Sequence, residues 1–240
     1  MLVSTATYTT ILASALVLFA SSNLTPAAEA HSWMDCVNWK FHSRTNPDFS
    51  DKGGYCRGYA RRYPKDLNFG TLDDASPSRH YQQAGNPNTA LPCSDRRHGK
   101  DIGSDETMGD PVSSAYGGKY GEMATIRSGE TLCVRWPAKN HAEGNEDNTI
   151  VQINLIKSRN SQDATQAELL RNTIARLPYK NCSRGSGTDK KPCGGCFKMP
   201  ARSPGLYLLQ WRWMLNPGEW YTSCADIQIE DDKRGNKRRL

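Results

Sequence analysis

Eight cysteines, at positions 36, 56, 93, 133, 182, 193, 196 and 224, all lie downstream of a short apolar leader. An even set of cysteines in a secreted chain implies a disulfide framework, which restricts the fold to loop-rich architectures stapled at distant points. The leader is ILASALVLFA, from Ile11 to Ala20, followed by small and polar residues that end in Ala28-Glu29-Ala30. This is the apolar core and A-x-A pattern of a signal peptide, too short for a membrane span, which needs about 20 apolar residues. Residues 1–30 contain no Lys or Arg, an atypical start for such a leader. The chain is expected to be extracellular, with residues 1–30 as signal peptide, 31–229 as one domain and 230–240 as a charged tail without an apolar pattern. Cleavage after Ala30 exposes His31 as the first residue, whereas cleavage after Ala27 or Ala28 leaves it internal.

The spacing leaves the cysteine pairing open. Cys193-Gly-Gly-Cys196 has the form of a redox CxxC or half a zinc knuckle, but no second CxxC accompanies it, so structural bridges are expected. The formal net charge is +6, part of it from Lys233, Arg234, Lys237, Arg238 and Arg239 in the tail. A basic secreted chain is drawn to acidic polymers such as pectate. A soluble surface with a slight basic excess explains the charge equally well. The chain is expected to be a monomer, with no nucleic acid and no membrane as partner.

From Trp33 to about Gly121 the sequence is rich in Gly, Pro, Asn, Asp and Arg and reads as short strands and long loops. Strands are expected at Glu122–Ile126, Thr131–Trp136, Thr149–Ile156, Leu206–Leu215 and Ser223–Ile229; in Thr149–Ile156 apolar residues recur mostly with period two and β-branched residues are frequent. One helix is expected from Ala164 to Leu177, capped by Asp163, with Leu170, Ile174 and Leu177 on one face. The segment from Asn181 to Pro204 reads as a loop or a disulfide-pinned excursion, and its Asn181-Cys182-Ser183 sequon carries little weight beside a bridged cysteine. Together these predict an all-β fold, an immunoglobulin- or fibronectin-like antiparallel β-sandwich with long disulfide-pinned loops and one short helix.

A terminal histidine offers two nitrogens, its α-amine and ring Nδ1, which can chelate one metal. A second imidazole would complete a T-shaped set of three nitrogens, suited to Cu(II), and a bound cation would displace the amine proton. That imidazole must come from His42, His80, His98 or His141. The first three lie in loop-rich stretches with no strand to aim them. His141 follows the strand Thr131-Leu-Cys-Val-Arg-Trp136 and the segment Pro137-Ala-Lys-Asn140, so a rigid element can place it, although an ordinary loop histidine is the simpler reading of it alone.

Near the C-terminus stands Glu219-Trp-Tyr-Thr-Ser-Cys-Ala-Asp226. With His31 and His141, this segment makes the chain resemble the lytic polysaccharide monooxygenases, which have a mature N-terminal histidine, a second histidine after a central strand and a late Tyr-x-x-Cys-Ala segment. The motifs His31-Ser-Trp-Met-Asp-Cys36, Val134-Arg-Trp-Pro-Ala-Lys-Asn-His141 and Trp220-Tyr-Thr-Ser-Cys-Ala-Asp226 look most like the oomycete, pectin-active family of these enzymes.

The resemblance implies one copper ion held by His31 and His141, with Tyr221 axial, an external electron donor, and O2 or H2O2 as co-substrate. It implies oxidative cleavage of a plant cell-wall polysaccharide, pectic homogalacturonan being favoured and cellulose or chitin the alternatives. Glu219 matches the place where related families put a Gln or Glu that hydrogen-bonds the oxygen species; a solvated turn residue is its plainer reading. Gln210 and Arg212, on one face of Leu206–Trp213, are further candidates to reach the copper. Pairing of Cys93 with Cys224 would tie the early loops to the copper-bearing strand. A non-catalytic copper carrier and a wall-binding module are the rival classes.

Of the tryptophans at 33, 39, 136, 211, 213 and 220, most are expected in the core, with Trp33 the candidate for a surface position. Arg57, Arg61 and Arg62 could form a carboxylate-binding patch or simply a solvated loop.

Overall fold

The computed structural model describes residues 32–45, 47–49, 53–61, 81–83, 86, 88–89, 91–93, 122–138, 150–157, 164–179 and 191–231. Ten strands and one helix occur among them. The strands are β1 (Trp39–Lys40), β2 (Tyr55–Cys56), β3 (Tyr81–Gln82), β4 (Ala124–Arg127), β5 (Thr131–Ala138), β6 (Ile150–Lys157), β7 (Thr173–Pro178), β8 (Lys191–Lys198), β9 (Gly205–Asn216) and β10 (Glu219–Glu230). The helix, α1, is Gln166–Leu170.

The larger sheet runs β3-β10-β9-β6-β7, and β4 pairs with β10 beside β3. β10 therefore has β9 along one side, while the other side carries β3 at Tyr221–Thr222 and β4 at Ile227–Glu230. All its pairings are antiparallel except that of β4, which runs parallel to β10. The smaller sheet is β5 with β8, and β1 with β2 forms a separate hairpin.

Alternation decides what lies between the two sheets. Trp211, Trp213, Leu209, Val151, Ile153, Ala225 and Ile227 face Leu132, Val134 and Trp136 of β5 in one buried cluster. The expected all-β sandwich with disulfide-pinned loops is what these residues build.

Cys93 is bridged to Cys224, as anticipated, and Cys36 to Cys56 and Cys133 to Cys196. Cys193 is also disulfide-bonded, so the CxxC cysteines each serve a structural bridge and are not joined to each other.

The expected helix over Ala164–Leu177 is corrected. Only Gln166–Leu170 is helical, and its N-cap is Thr165 rather than Asp163, with Glu168 completing a capping box. Asn172 closes it by donating from Nδ2 to the Glu168 carbonyl at 2.8 Å. Beyond that point Thr173–Pro178 pairs with β6 instead. Ladder bonds to a neighbouring strand outweigh the helical spacing of Leu170, Ile174 and Leu177, and β-branched Thr173 and Ile174 suit an extended chain.

The stretch read as a loop up to Pro204 contains β8, a second correction. Its Pro192, Gly194 and Gly195 look like loop residues. The glycines are there for room: a Cβ on Gly194 would meet a Phe49 ring carbon at 2.3 Å and the Val134 carbonyl at 2.4 Å. Trp33, expected near the surface, is completely buried.

Candidate metal centre

Tyr221 lies near the start of β10, opposite Trp213 of β9 and Gln82 of β3. A register shift between Glu219 and Trp220 breaks the ladder there, a device that re-aims side chains at the end of a strand. The Tyr221 ring packs against Trp213 with centroids 5.7 Å apart, and its hydroxyl donates to Glu219 Oε1 at 3.0 Å. Tyr221 is buried and Glu219 half-buried, so the carboxylate spans the distance from the phenol towards solvent.

The N-terminal segment makes polar contacts with a strand of each sheet, β5 and β10. Ser32 Oγ donates to the Pro137 carbonyl at 2.8 Å, and Ser32 is fully buried. Pro137 stands opposite Pro192, and two prolines have no N–H with which to make ladder bonds. The Pro137 carbonyl instead accepts hydroxyls, taking a second one from Tyr179 at 3.4 Å. Further along, the Met34 N–H donates to Ser223 Oγ at 3.2 Å.

Asp35 is locked to Arg135 by a buried pair in which Arg135 Nη2 reaches Asp35 Oδ2 at 2.9 Å and Nε reaches Oδ1 at 3.1 Å. The Asp35 and Cys36 N–H groups both donate to the Arg135 carbonyl, and the Arg135 N–H donates back to Cys36. The Arg135 guanidinium lies 4.1 Å from the centroid of the Trp39 ring. A fork held by a carboxylate, backbone and an aromatic face is the geometry in which arginine suits burial.

Ser32, Asp35, Arg135 and Ser223 were not picked out from the sequence. Arg135 carried a signal, since a charged residue inside Thr131–Trp136 must find a partner if that strand is buried.

Of the candidate ligands, Tyr221 and Glu219 are brought together. His31, His141, His80 and His98 lie outside the described residues, and His42 is exposed in a bend. What is described is the company the two proposed ligands keep in sequence. Ser32, next to His31, bonds Pro137, four residues before His141; Met34 bonds Ser223, two residues after Tyr221. Among the described residues no three His, Cys, Asp or Glu side chains gather.

Gln210 and Arg212 do not join Tyr221. Their register partners on β10 are Cys224 and Thr222, whereas Tyr221 and Ser223 pair with Trp213 and Trp211, so they occupy the opposite face of the sheet. There Gln210 Nε2 donates to the Pro92 carbonyl at 2.7 Å and to Gln166 Oε1 at 2.7 Å. Arg212 donates to Gln83 Oε1 at 3.0 Å and Gln152 Oε1 at 3.2 Å, and stacks 3.7 Å from the centroid of the Trp220 ring. Burial pushes the Arg212 guanidinium down to about 10. Arg61, proposed for a carboxylate patch, is committed to a buried bidentate pair with Asp226 at 2.8 and 3.1 Å, and Arg62 lies outside the described residues.

No family model matches the chain, and no curated protein matches it in sequence. Among solved structures, it is similar to the catalytic domain of a lytic polysaccharide monooxygenase from Listeria monocytogenes, with TM-score 0.41 and 18% identity over 69% of this chain and 89% of that one. It is similar also to a Jonesia denitrificans lytic polysaccharide monooxygenase, with TM-score 0.38 and 11% identity over 83% of this chain and 100% of that one. An AA10 lytic polysaccharide monooxygenase from Streptomyces lividans gives TM-score 0.36 and 13% identity over 53% of this chain and 67% of that one. With all three TM-scores below 0.5, the sandwich stands on its own strand pairing.

Proposed function

We propose that the chain is a secreted, copper-dependent lytic polysaccharide monooxygenase in which His31, His141 and Tyr221 would hold the metal, with Glu219 hydrogen-bonded to Tyr221. The observation that carries this reading is the convergence of the flanking residues: Ser32 on Pro137, Met34 on Ser223, and Tyr221 on Glu219. The donor set fits copper, since an α-amine and two imidazoles are neutral nitrogen ligands of the kind Cu(II) favours. Bound there and reduced by an external donor, copper would supply activation of O2 or H2O2 for hydrogen abstraction from a glycosidic carbon.

The remaining roles belong to this chain's own residues. The Ser32 and Asp35 contacts would hold the chain end, which otherwise frays, in one position. The Tyr221 hydroxyl gives its proton in a hydrogen bond to Glu219, so a metal would be met by the phenol oxygen and not by its proton. Glu219 fixes the orientation of that phenol and offers an acceptor at the rim. The substrate we favour is pectic homogalacturonan, to which a chain of net charge +6 is attracted over long range.

N-terminal sequencing of the secreted protein, followed by Cu(II) titration and mass spectrometry of polymer digests with ascorbate, tests the reading. The expected results are His31 at the N-terminus, one copper per chain, loss of tight binding in His31→Ala and His141→Ala, and oxidised galacturonides. An N-terminus other than His31 would sink the brace. Copper binding without oxidation of any polymer would make the protein a carrier, and oxidised cello- or chito-oligosaccharides alone would move the substrate.

A further inference from the structure

Far from Tyr221, a cleft of about 530 Å³ opens at the other end of β10, where Glu230 forms part of its wall. Nine residues of extended strand, about 30 Å, separate the two. Its charged lining residues are Lys40, Arg57, Glu122, Arg127, Glu130 and Glu230.

The cations of the lining differ in how they are used. Arg127 is spoken for, reaching Glu130 at 3.6 Å and Glu230 at 3.1 Å. Lys40 and Arg57 make no ion pair among the described residues. They are brought to one face by the β1–β2 register: Lys40 stands opposite Tyr55, and Arg57, two residues after Tyr55, donates its N–H to the Asn38 carbonyl at 2.9 Å. Trp39 and Cys56 take the other face and are packed beneath. Burial, and after it the charge of Arg57, hold the Lys40 ammonium below its ordinary range, with Glu130 pulling the other way. The hairpin brings two cations into one cleft lining.

Tyr55 is the most exposed large hydrophobic residue among the described residues, at 55%. It shares the hairpin face with the two cations. An exposed aromatic ring on the hairpin, beside a cleft lined by lysine, arginine and glutamate, offers the three parts of one ligand class. A pyranose face stacks on an aromatic ring, sugar hydroxyls donate to carboxylates, and a uronic acid adds a carboxylate that lysine and arginine bind.

We propose that the β1–β2 hairpin is a second saccharide-binding site, in which Lys40 and Arg57 take the carboxylate of a uronate unit and Tyr55 its ring face. Glu122 and Glu130 accept its hydroxyls. An acidic polymer held there anchors the protein about 30 Å from Tyr221, which raises the local concentration of chain at the other end. The choice of uronate rests on the acidic substrate proposed above. The site itself does not need copper.

The test is titration of the copper-free secreted chain with hexagalacturonate, cellohexaose and inorganic phosphate, read by calorimetry and NMR. Hexagalacturonate is expected to bind with an affinity that falls as salt rises. Lys40→Ala with Arg57→Ala should weaken it about tenfold and flatten the salt dependence; Tyr55→Ala should weaken it about fivefold and leave that dependence intact. Lys40→Gln, which keeps the length of the half-buried stem, guards against loss through packing and should still weaken binding. Equal affinity for cellohexaose, equal competition by phosphate, or full binding by the double variant would each overturn the proposal. If the double variant binds normally while copper-loaded wild type still oxidises galacturonides, the hairpin assignment fails alone. If binding is lost as expected but no galacturonide is ever oxidised, the monooxygenase reading fails alone.

Discussion

The two faces of the β9–β10 pair are both buried, yet one is aromatic and the other is a chain of amides. On the inner face Tyr179 stacks on Trp213 at 4.3 Å, and Trp136, Trp211 and Tyr221 continue the cluster. On the outer face Gln83 donates to Gln166, Gln166 and Gln210 exchange bonds, Asn154 donates to Gln210, and Thr173 donates to Asn154. The aromatic face is stabilised by area removed from water and tolerates imperfect geometry. The amide face contributes little unless every group is satisfied, because a buried amide without a partner costs more than its hydrogen bond returns. Burial on the two sides therefore has different consequences for substitution.

The largest effect should come from the inner face. Trp213→Ala would remove the ring shared by Tyr179, Trp211 and Tyr221, and is expected to cost about 3–5 kcal/mol, measured by urea unfolding. A loss below about 1.5 kcal/mol would mean that the cluster collapses into the gap, and that its packing is looser than the ring distances suggest. Next comes the bridge that clamps the cover of the outer face to the sheet. Cys93 belongs to that cover, beside the Pro92 carbonyl that Gln210 bonds, and Cys224 belongs to β10. Replacing both cysteines by serine should cost about 2–5 kcal/mol, the sequence separation of 131 residues placing the loss towards the upper end.

A smaller change sharpens the contrast between the faces. Gln210→Leu would leave Gln166 and Asn154 without their central partner and should cost about 1–3 kcal/mol. Adding Gln166→Leu and Asn154→Leu should recover part of that loss, since an apolar patch has no groups left to satisfy. No recovery in the triple variant would show that the amides specify the docking of α1, Gln83 and Pro92, beyond mere compensation for their own burial.

This contrast also marks what was legible in the sequence. The inner face could be read from Thr149–Ile156 and Leu206–Leu215, because apolar residues at alternate positions predict burial directly. The outer face could not. Gln210 and Arg212 alternate with Leu209 and Trp211 as solvent-facing residues would, which is why they were open to a place near a metal. Their burial comes from α1, Gln83 and Pro92, whose docking is a tertiary event with no local pattern. β8 was hidden for a different reason: its glycines are selected for clearance against Phe49 and Leu177, and clearance has no periodic signature. At the candidate metal centre, motif singled out Tyr221 and Glu219, while Ser32, Asp35 and Ser223 act through contacts a hundred or more residues away.

The mildest substitution bears most on function. Tyr221→Phe keeps the ring against Trp213 and deletes only the hydroxyl that donates to Glu219 Oε1, so the core should barely change. The expected stability loss is about 0.5–1.5 kcal/mol, the net worth of one hydrogen bond, because Glu219 is half-buried and water can replace the phenol. Were Tyr221 only a core residue, that loss would be the whole phenotype. If it faces copper as proposed, the Cu(II) electron paramagnetic resonance spectrum should shift, and oxidation of galacturonate polymer should fall out of proportion to the stability change. Glu219→Gln keeps an acceptor for the phenol and should leave both stability and spectrum close to wild type. A spectrum unchanged in Tyr221→Phe, with copper bound, would remove Tyr221 from the metal and confine it to the aromatic face.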